Sequence, residues 1–394
     1  MSKFIESLEK VKNGTATDEE MSMVQSEIQK HEAIEEYLEM QFQDTHIGEL
    51  IVHDDNVIDT KKISRKIRLR LIRTVLIVLI VIALIIGGII AIVNEKYYNP
   101  NDGIKPVYGG DGQLLLDMRV FSELHTPGYI TNAAEAWRDG PGSYQLKIQQ
   151  YDLFLGTTET IYERLVRGKI SGKGENYVSD YLDLADVNTL SYAEWQRINL
   201  DEQENEQRYH SADDLGNQLN ELKQLPVSSQ AAVYVTLSSN ISLEQFHELY
   251  SEWGDKIDFC YAAVKGTDGF IFPTVGFDPS GGVGIVMENV PDNFPYLQLT
   301  GRLDRLEVDV DIWEKHFNSL IEYMSERGPF IDAMASVASE EYYKEIADYI
   351  DANDMNIYGV LIHGNTKDVV SFIDQIEPYD FHVDNVSLSY LSRG

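Results

Sequence analysis

Cysteine is almost missing from this chain. Cys260 is the single one in 394 residues, so no intrachain disulfide can form and no cysteine cluster can hold a metal. Bases are scarce as well: 32 Lys and Arg stand against 65 Asp and Glu, a net charge of −33. That balance excludes direct nucleic-acid binding by the acidic bulk, because a like-charged surface is repelled by phosphate. The local signatures of common catalytic sites are also absent. There is no Gly-x-Ser-x-Gly elbow, no Walker lysine loop, no His-Glu-x-x-His and no Rossmann glycine run. No enzyme activity and no cofactor are expected.

Long apolar runs are absent with one exception. Thr74 to Val93 is 20 residues without a charge. At about 1.5 Å per residue such a helix is roughly 30 Å long, the thickness of a bilayer's hydrocarbon core. Directly before it stand Lys61, Lys62, Arg65, Lys66, Arg68, Arg70 and Arg73, with no acid among residues 61–73. Lys/Arg excess marks the cytoplasmic side, so the chain is expected to cross a cell membrane once, N-terminus inside and bulk outside. A secretory signal would not carry so long a leader, and no small-residue cleavage site follows. Tyr97 and Tyr98, just beyond, suit a headgroup belt. An outer region this large without disulfides is unlike a eukaryotic secreted protein and suits a bacterial envelope protein that relies on its core.

Charge divides the chain further. Residues 1–60 hold 15 acids against 4 bases, whereas residues 94–394 hold 50 against 21. The expected organisation is a helical cytoplasmic segment (1–60), a basic juxtamembrane stretch (61–73), a membrane helix (74–93), a stalk and β-rich part (94–225) and an α/β sensor-type part (226–394).

In the first segment, Phe4, Leu8 and Val11 are spaced as one helix face, closed by Asn13-Gly14. Thr17-Asp18-Glu19-Glu20 is a capping box. It opens a helix carrying Val24, Ile28, His31, Leu38 and Phe42 near one face, flanked by Met21, Ile34 and Tyr37. Two helices cannot enclose a core of their own. The apolar stripe therefore asks for a partner protein or a second copy. The acidic polar face disfavours the membrane surface.

Several runs resemble the sigma factor regulators, membrane-anchored anti-sigma factors of Gram-positive bacteria. They are Phe4-Ile5-Glu6-Ser7-Leu8, Val11-Lys12-Asn13-Gly14, Asp18-Glu19-Glu20, Ile28-Gln29-Lys30-His31-Glu32 and Glu36-Tyr37-Leu38. The basic run from Lys66 to Leu76 and Tyr97-Tyr98-Asn99-Pro100 resemble that family too, and the outer region is similar to its C-terminal domain, less distinctively. The resemblance implies that the cytoplasmic segment holds an extracytoplasmic-function sigma factor away from RNA polymerase, with the outer region responding to an envelope ligand or another membrane protein. Phe4, Leu8, Val11, Val24, Ile28, Tyr37 and Leu38 are the expected sigma-binding residues. Anti-sigma domains of another class use a His-x3-Cys-x2-Cys zinc motif. No cysteine precedes position 260, so zinc has no part in this segment. The reading from another class is a membrane-anchored envelope enzyme or ligand-binding protein with a merely topogenic tail; a dimerisation scaffold is a third.

In the outer region Asn94–Gly110 reads as a turn-rich stalk and residues 143–171 as strands, with Tyr144, Leu146 and Ile148 alternating and Tyr151, Leu153 and Leu155 resuming in shifted phase, as a bulge would produce. Asp201–Asp214 reads as a loop and Leu215–Leu225 as a helix stopped by Pro226. Then come strand Ala231–Leu237, a helix from Leu243 to Gly254 capped by Ser242, and strand Ile257–Val264. Helices Ile312–Met324 and Ile331–Ile350 follow. Strand Ile357–Ile362, helix Thr366–Ile376 and strand Phe381–Leu391 end the chain. Tyr234-x-x-Leu237 and Tyr358-x-x-Leu361 sit at matched spacing, with Ser242 and Thr366 as matched caps, which suggests a duplicated βαβ unit. Asp309, Asp311 and Glu314 lack the spacing of a calcium loop and read as a solvated helix start. His363 and His382 read as ordinary sheet residues, Phe277–Gly282 as a turn whose Ser280 has no visible base, and Cys260 as buried and inert.

Overall fold

The computed structural model describes residues 10–44, 60–102, 112–171, 184–199, 211–269, 271–280, 293–297, 309–334 and 338–388. Residues 1–82 and 83–394 form two compact units.

In the first unit, residues 10–12 are helical and end at Gly14, whose φ of +69° favours a residue without a Cβ. Helix α1 runs Asp18–Asp44. Its start is the capping box expected from sequence. Glu20 N–H donates to Thr17 Oγ1 at 3.3 Å, and Thr17 N–H donates to Glu20 Oε2 at 3.0 Å. Lys10 Nζ adds a bond to Glu20 Oε1 at 2.7 Å, and this bond with the backbone one holds the Glu20 carboxyl below its ordinary range. Helix α2 runs Thr60–Lys96 without a break. Its window Arg68–Val93 is long and apolar enough to cross a membrane, and none of it is buried against protein.

The second unit contains two antiparallel sheets. The first is a meander in the order β1 (Tyr129–Gly140), β2 (Ser143–Asp152), β3 (Thr157–Val166), β4 (Lys169–Ile170). On β2 the buried residues Tyr144, Leu146, Ile148, Gln150 and Asp152 keep strict alternation. The bulge expected between Ile148 and Tyr151 is therefore not there: β2 keeps its phase to Asp152, and Leu153 and Leu155 lie beyond the strand. Asp152 Oδ1 accepts the N–H groups of Phe154 and Leu155 and turns the chain. The register breaks lie on β1, between Thr131 and Ala133 and between Arg138 and Gly140.

Helix α3 (Gln113–His125) packs against β1 and is buried on nearly every face, as expected of an element enclosed on all sides. Helices α4 (Leu184–Asn199) and α5 (Ala212–Gln224) come next. Ser211 caps α5 with a capping box, and the helix starts three residues before the expected Leu215.

The second sheet is assembled from β5 (Ser229–Ser242), β6 (Ile257–Val264), β7 (Gly276–Phe277), β8 (Asn356–Asn365) and β9 (Asp380–Leu388). Their order is β7-β6-β8-β5-β9, and every neighbouring pair is antiparallel. Helix α6 (Leu243–Trp253) links β5 to β6, and α10 (Thr366–Ile376) links β8 to β9. Each run leaves its two strands parallel but separated by one strand of the other run, the split form of a βαβ unit. The architecture is α+β. The cap match proposed from sequence shifts by one: Ser242 caps α6, but Asn365, not Thr366, caps α10.

Between β6 and β8 lie α7 (Val310–Ser325), α8 (Gly328–Met334) and α9 (Glu340–Asn353). The helix expected over Ile331–Ile350 is therefore two helices, the second capped by Ser339. One apolar core runs from Tyr98 to Phe381 and draws on both sheets, with Trp313, Phe330, Tyr343 and Phe372 among its fully buried rings.

Candidate functional site

Phe4 and Leu8 lie outside the described residues. Val11 is half-buried, Val24 is buried at 3% exposure, and Ile28 and Tyr37 are 46% and 58% exposed. Leu38 lies on α1. At about 100° per residue Val24, Ile28 and Leu38 share one side of the helix, while Tyr37 sits well round on the other with Met23 and Ile34. The apolar surface of α1 thus has two edges, where one stripe was expected. Met21, Met23 and Ile34 are also more than 40% exposed. Arg68, Arg70 and Arg73 are exposed, and Lys61, Lys62, Arg65 and Lys66 fall on the same continuous helix α2.

The second unit begins with a junction that the sequence did not reveal. Tyr98 was expected among lipid headgroups, yet it is 3% exposed inside the core, its ring 5.5 Å from that of Phe330. Its hydroxyl donates to Asp117 Oδ2 at 2.6 Å. Asp117 is fully buried and is the centre of a closed network. Tyr323 OH and Gln113 Nε2 donate to its Oδ1 at 2.6 and 2.9 Å, and the Arg327 guanidinium spans both carboxylate oxygens at 2.8 Å each. Such a two-point pair is strong and directional. Burial and the Asp117 charge push the Tyr98 hydroxyl well above its usual range. Nearby, Tyr144 OH donates to Asn99 Oδ1 at 2.8 Å and Asn101 Nδ2 to Ala136 O at 3.2 Å. Residues 98–101 are thus fastened to the domain where a free stalk was expected.

Two further polar groups of α3 reach across the core. His125 Nδ1 meets Thr274 O at 2.8 Å and Nε2 meets Tyr343 OH at 2.7 Å; burial lowers this imidazole to about 4. Glu123 Oε1 lies 2.6 Å from His316 Nε2, while His316 Nδ1 meets Tyr296 O at 2.6 Å. Both ring nitrogens of His316 face acceptors. Burial opposes its charge, but Glu123 and these bonds prevail and raise it above 6.5. Asp278, beside them, is pushed up to about 6 by burial and by the Glu123 charge.

Asp278 also borders a cleft of about 260 Å³ with Phe154, Tyr250, Phe259, Cys260 and His363. Cys260 is half-buried at this wall, where full burial was expected. Burial lowers the His363 imidazole, and its ring lies 5.1 Å from that of Phe154. Ser280 Oγ donates to Asp278 Oδ1 at 2.7 Å, so the serine does have a carboxylate beside it. The same oxygen accepts Ser280 N–H at 2.8 Å, which is the local pattern of a side chain closing its own turn. Asp309, Asp311 and Glu314 are exposed at the start of α7. Among the described residues, no group of three His, Cys, Asp or Glu is placed to hold a metal.

Residues 292–379 match the family model described as sigma factor regulator C-terminal. The match supports a place for this segment among sigma factor regulator C-terminal regions. The matched segment contains His316, Tyr323, Arg327 and Tyr343, which receive Glu123, Asp117 and His125 of α3. No curated protein and no solved structure matches the chain. The matching family is a regulatory one, and one helix of the chain is apolar and long enough to cross a membrane.

Proposed function

We propose that this chain is a sigma factor regulator, a single-pass membrane anti-sigma factor. The segment before α2 holds an extracytoplasmic-function sigma factor on the cytoplasmic face, α2 anchors it, and the domain beyond α2 sets how firmly the sigma factor is held. The match over residues 292–379 is the observation that carries this reading. The exposed apolar side chains of α1 support it, since a helix so placed is completed by lying in a groove on a partner. The acids of residues 1–60 suit the basic surfaces that a sigma factor turns toward DNA, and favour encounter and selectivity more than affinity. For a signal to cross, binding on the outer side must differ in free energy between the holding and releasing states.

Deleting residues 1–60 in the host tests the proposal. Release of one sigma factor's regulon is the expected result. Unchanged transcription with altered cell-wall chemistry would instead support an anchored envelope enzyme or ligand-binding protein. Self-association of the segment with no sigma factor captured would point to a scaffold.

A further inference from the structure

The residues that follow the apolar window of α2 touch one end of the meander. Gly142, in the β1–β2 turn, lies so close to Val93 that a Cβ there would stand 2.5 Å from Val93 Cγ1. A Cβ on Gly168, in the β3–β4 turn, would stand 3.3 Å from Tyr97 Cδ1. The two turns are joined, since Arg167 N–H donates to Gly142 O at 2.7 Å. Val93 closes the apolar window, so both turns lie where hydrocarbon gives way to headgroups if α2 spans.

This rim differs in charge from the rest of its unit. Lys96, Arg138, Arg164, Arg167 and Lys169 are exposed around it. Against them stand Asp102 and Asp139, and Asp139 is held by Arg164 at 3.0 Å. Residues 94–394 as a whole carry 50 acids and 21 bases, so a surplus of bases at one edge is a reversal of sign. Trp137 adds a ring 49% exposed on the same strand as Arg138, and Tyr97 one at the helix end. Aromatic rings with bases are the composition of an interfacial belt. The opposite end of the meander, the β2–β3 turn at Leu153–Gly156, has no base.

We propose that this rim rests on anionic lipid headgroups of the outer leaflet. The bases hold the two turns down while the acidic bulk is repelled, and the domain keeps one orientation to the membrane. The partner is the bilayer itself, argued from continuity with α2 and from the charge reversal. The proposal rests on the reading that α2 spans.

The test uses the full chain with Cys260→Ser, carrying one environment-sensitive fluorophore at Pro141→Cys or, separately, at Leu155→Cys. Each is placed in nanodiscs of phosphatidylcholine alone or of equal parts phosphatidylcholine and phosphatidylglycerol, doped with headgroup-nitroxide lipid. The label at 141 is expected to be quenched in the anionic discs and that at 155 to be spared. Arg138→Glu, Arg167→Glu and Lys169→Glu together return 141 to its value in neutral discs, each lost base weakening adsorption about five-fold. Equal quenching at 141 and 155, equal quenching in both lipids, or none at 141 in a chain that has entered the disc would overturn the rim alone and leave α2 as a spanning helix. A chain that does not enter discs at all would overturn the spanning reading, and the rim with it.

Discussion

Helix α1 and helix α3 solve opposite problems. Helix α3 carries Asp117, Glu123 and His125, polar groups that burial would penalise, and each meets a partner within 2.9 Å. Helix α1 carries Met21, Met23, Ile28, Ile34 and Tyr37, apolar groups that water penalises, and leaves them exposed. Among the described residues, α3 is enclosed by its domain, whereas α1 leaves an apolar surface open. An apolar helix surface left open suits binding to a partner, the role proposed for it above.

The contrast breaks most visibly at Asp117. Asp117→Ala strips Arg327 and Tyr323 of their shared acceptor, and removing one partner of a buried pair costs about 3–5 kcal/mol. Denaturant unfolding of the full chain in detergent is expected to show that loss. A loss below about 1 kcal/mol, the worth of an ordinary hydrogen bond, would mean the network is not what closes the domain. Tyr98→Phe removes one donor to the same carboxylate and is expected to cost about 1.5–3 kcal/mol, since hydrogen bonds to charged groups fall in that range. No measurable cost would mean the residues after α2 are not fastened as described.

Acidity sharpens the picture within the domain. Asp278 is raised to about 6 from 3.8, so its contribution is fully present below 3.8 and is lost as pH rises toward 6. His125 is lowered to about 4, so its contribution is present above 6.5 and is lost as pH falls toward 4. The two oppose each other, and melting temperature is expected to vary little between pH 4 and 6.5. Asp278→Asn removes one arm, so the variant should destabilise steadily as pH falls through that window. A flat profile in the variant would refute the assignment. Above 6.5 the raised His316 loses its contribution as pH rises through its folded value. The smallest effect belongs to α1: Ile28→Asp should leave domain unfolding within about 0.5 kcal/mol, as exposed substitutions do. A larger shift would show that the helix is part of the finished core after all.

Local chemistry was legible in the sequence where it acts over a few residues. The capping boxes at Thr17 and Ser242 and the strand over Ile257–Val264 stand where the residue pattern put them. Helix α3 was not legible, because Gln113–His125 is buried nearly all round although it carries Gln113, Asp117, Ser122 and His125, and no amphipathic period announces it. Nor was the Asp117 network, whose partners are 206 and 210 residues away and meet only through the fold. Tyr98 looked like a membrane-belt residue for the same reason: an aromatic with a hydroxyl suits either a headgroup or a buried carboxylate, and Asp117 decides. At the candidate partner-binding helix, composition gave the apolar residues. It did not give which of them are covered: Val24 is buried while Ile28 and Tyr37 are not.

The central claim is that the segment before the anchor holds a sigma factor. Its most direct test is co-purification of the full-length chain, in detergent, with each extracytoplasmic-function sigma factor of the host in turn, beside an Ile28→Asp, Tyr37→Asp variant. Selective one-to-one capture of a single sigma factor, lost in the variant while the domain unfolds as before, is the predicted result. Capture of none, or capture that survives both substitutions, would contradict it.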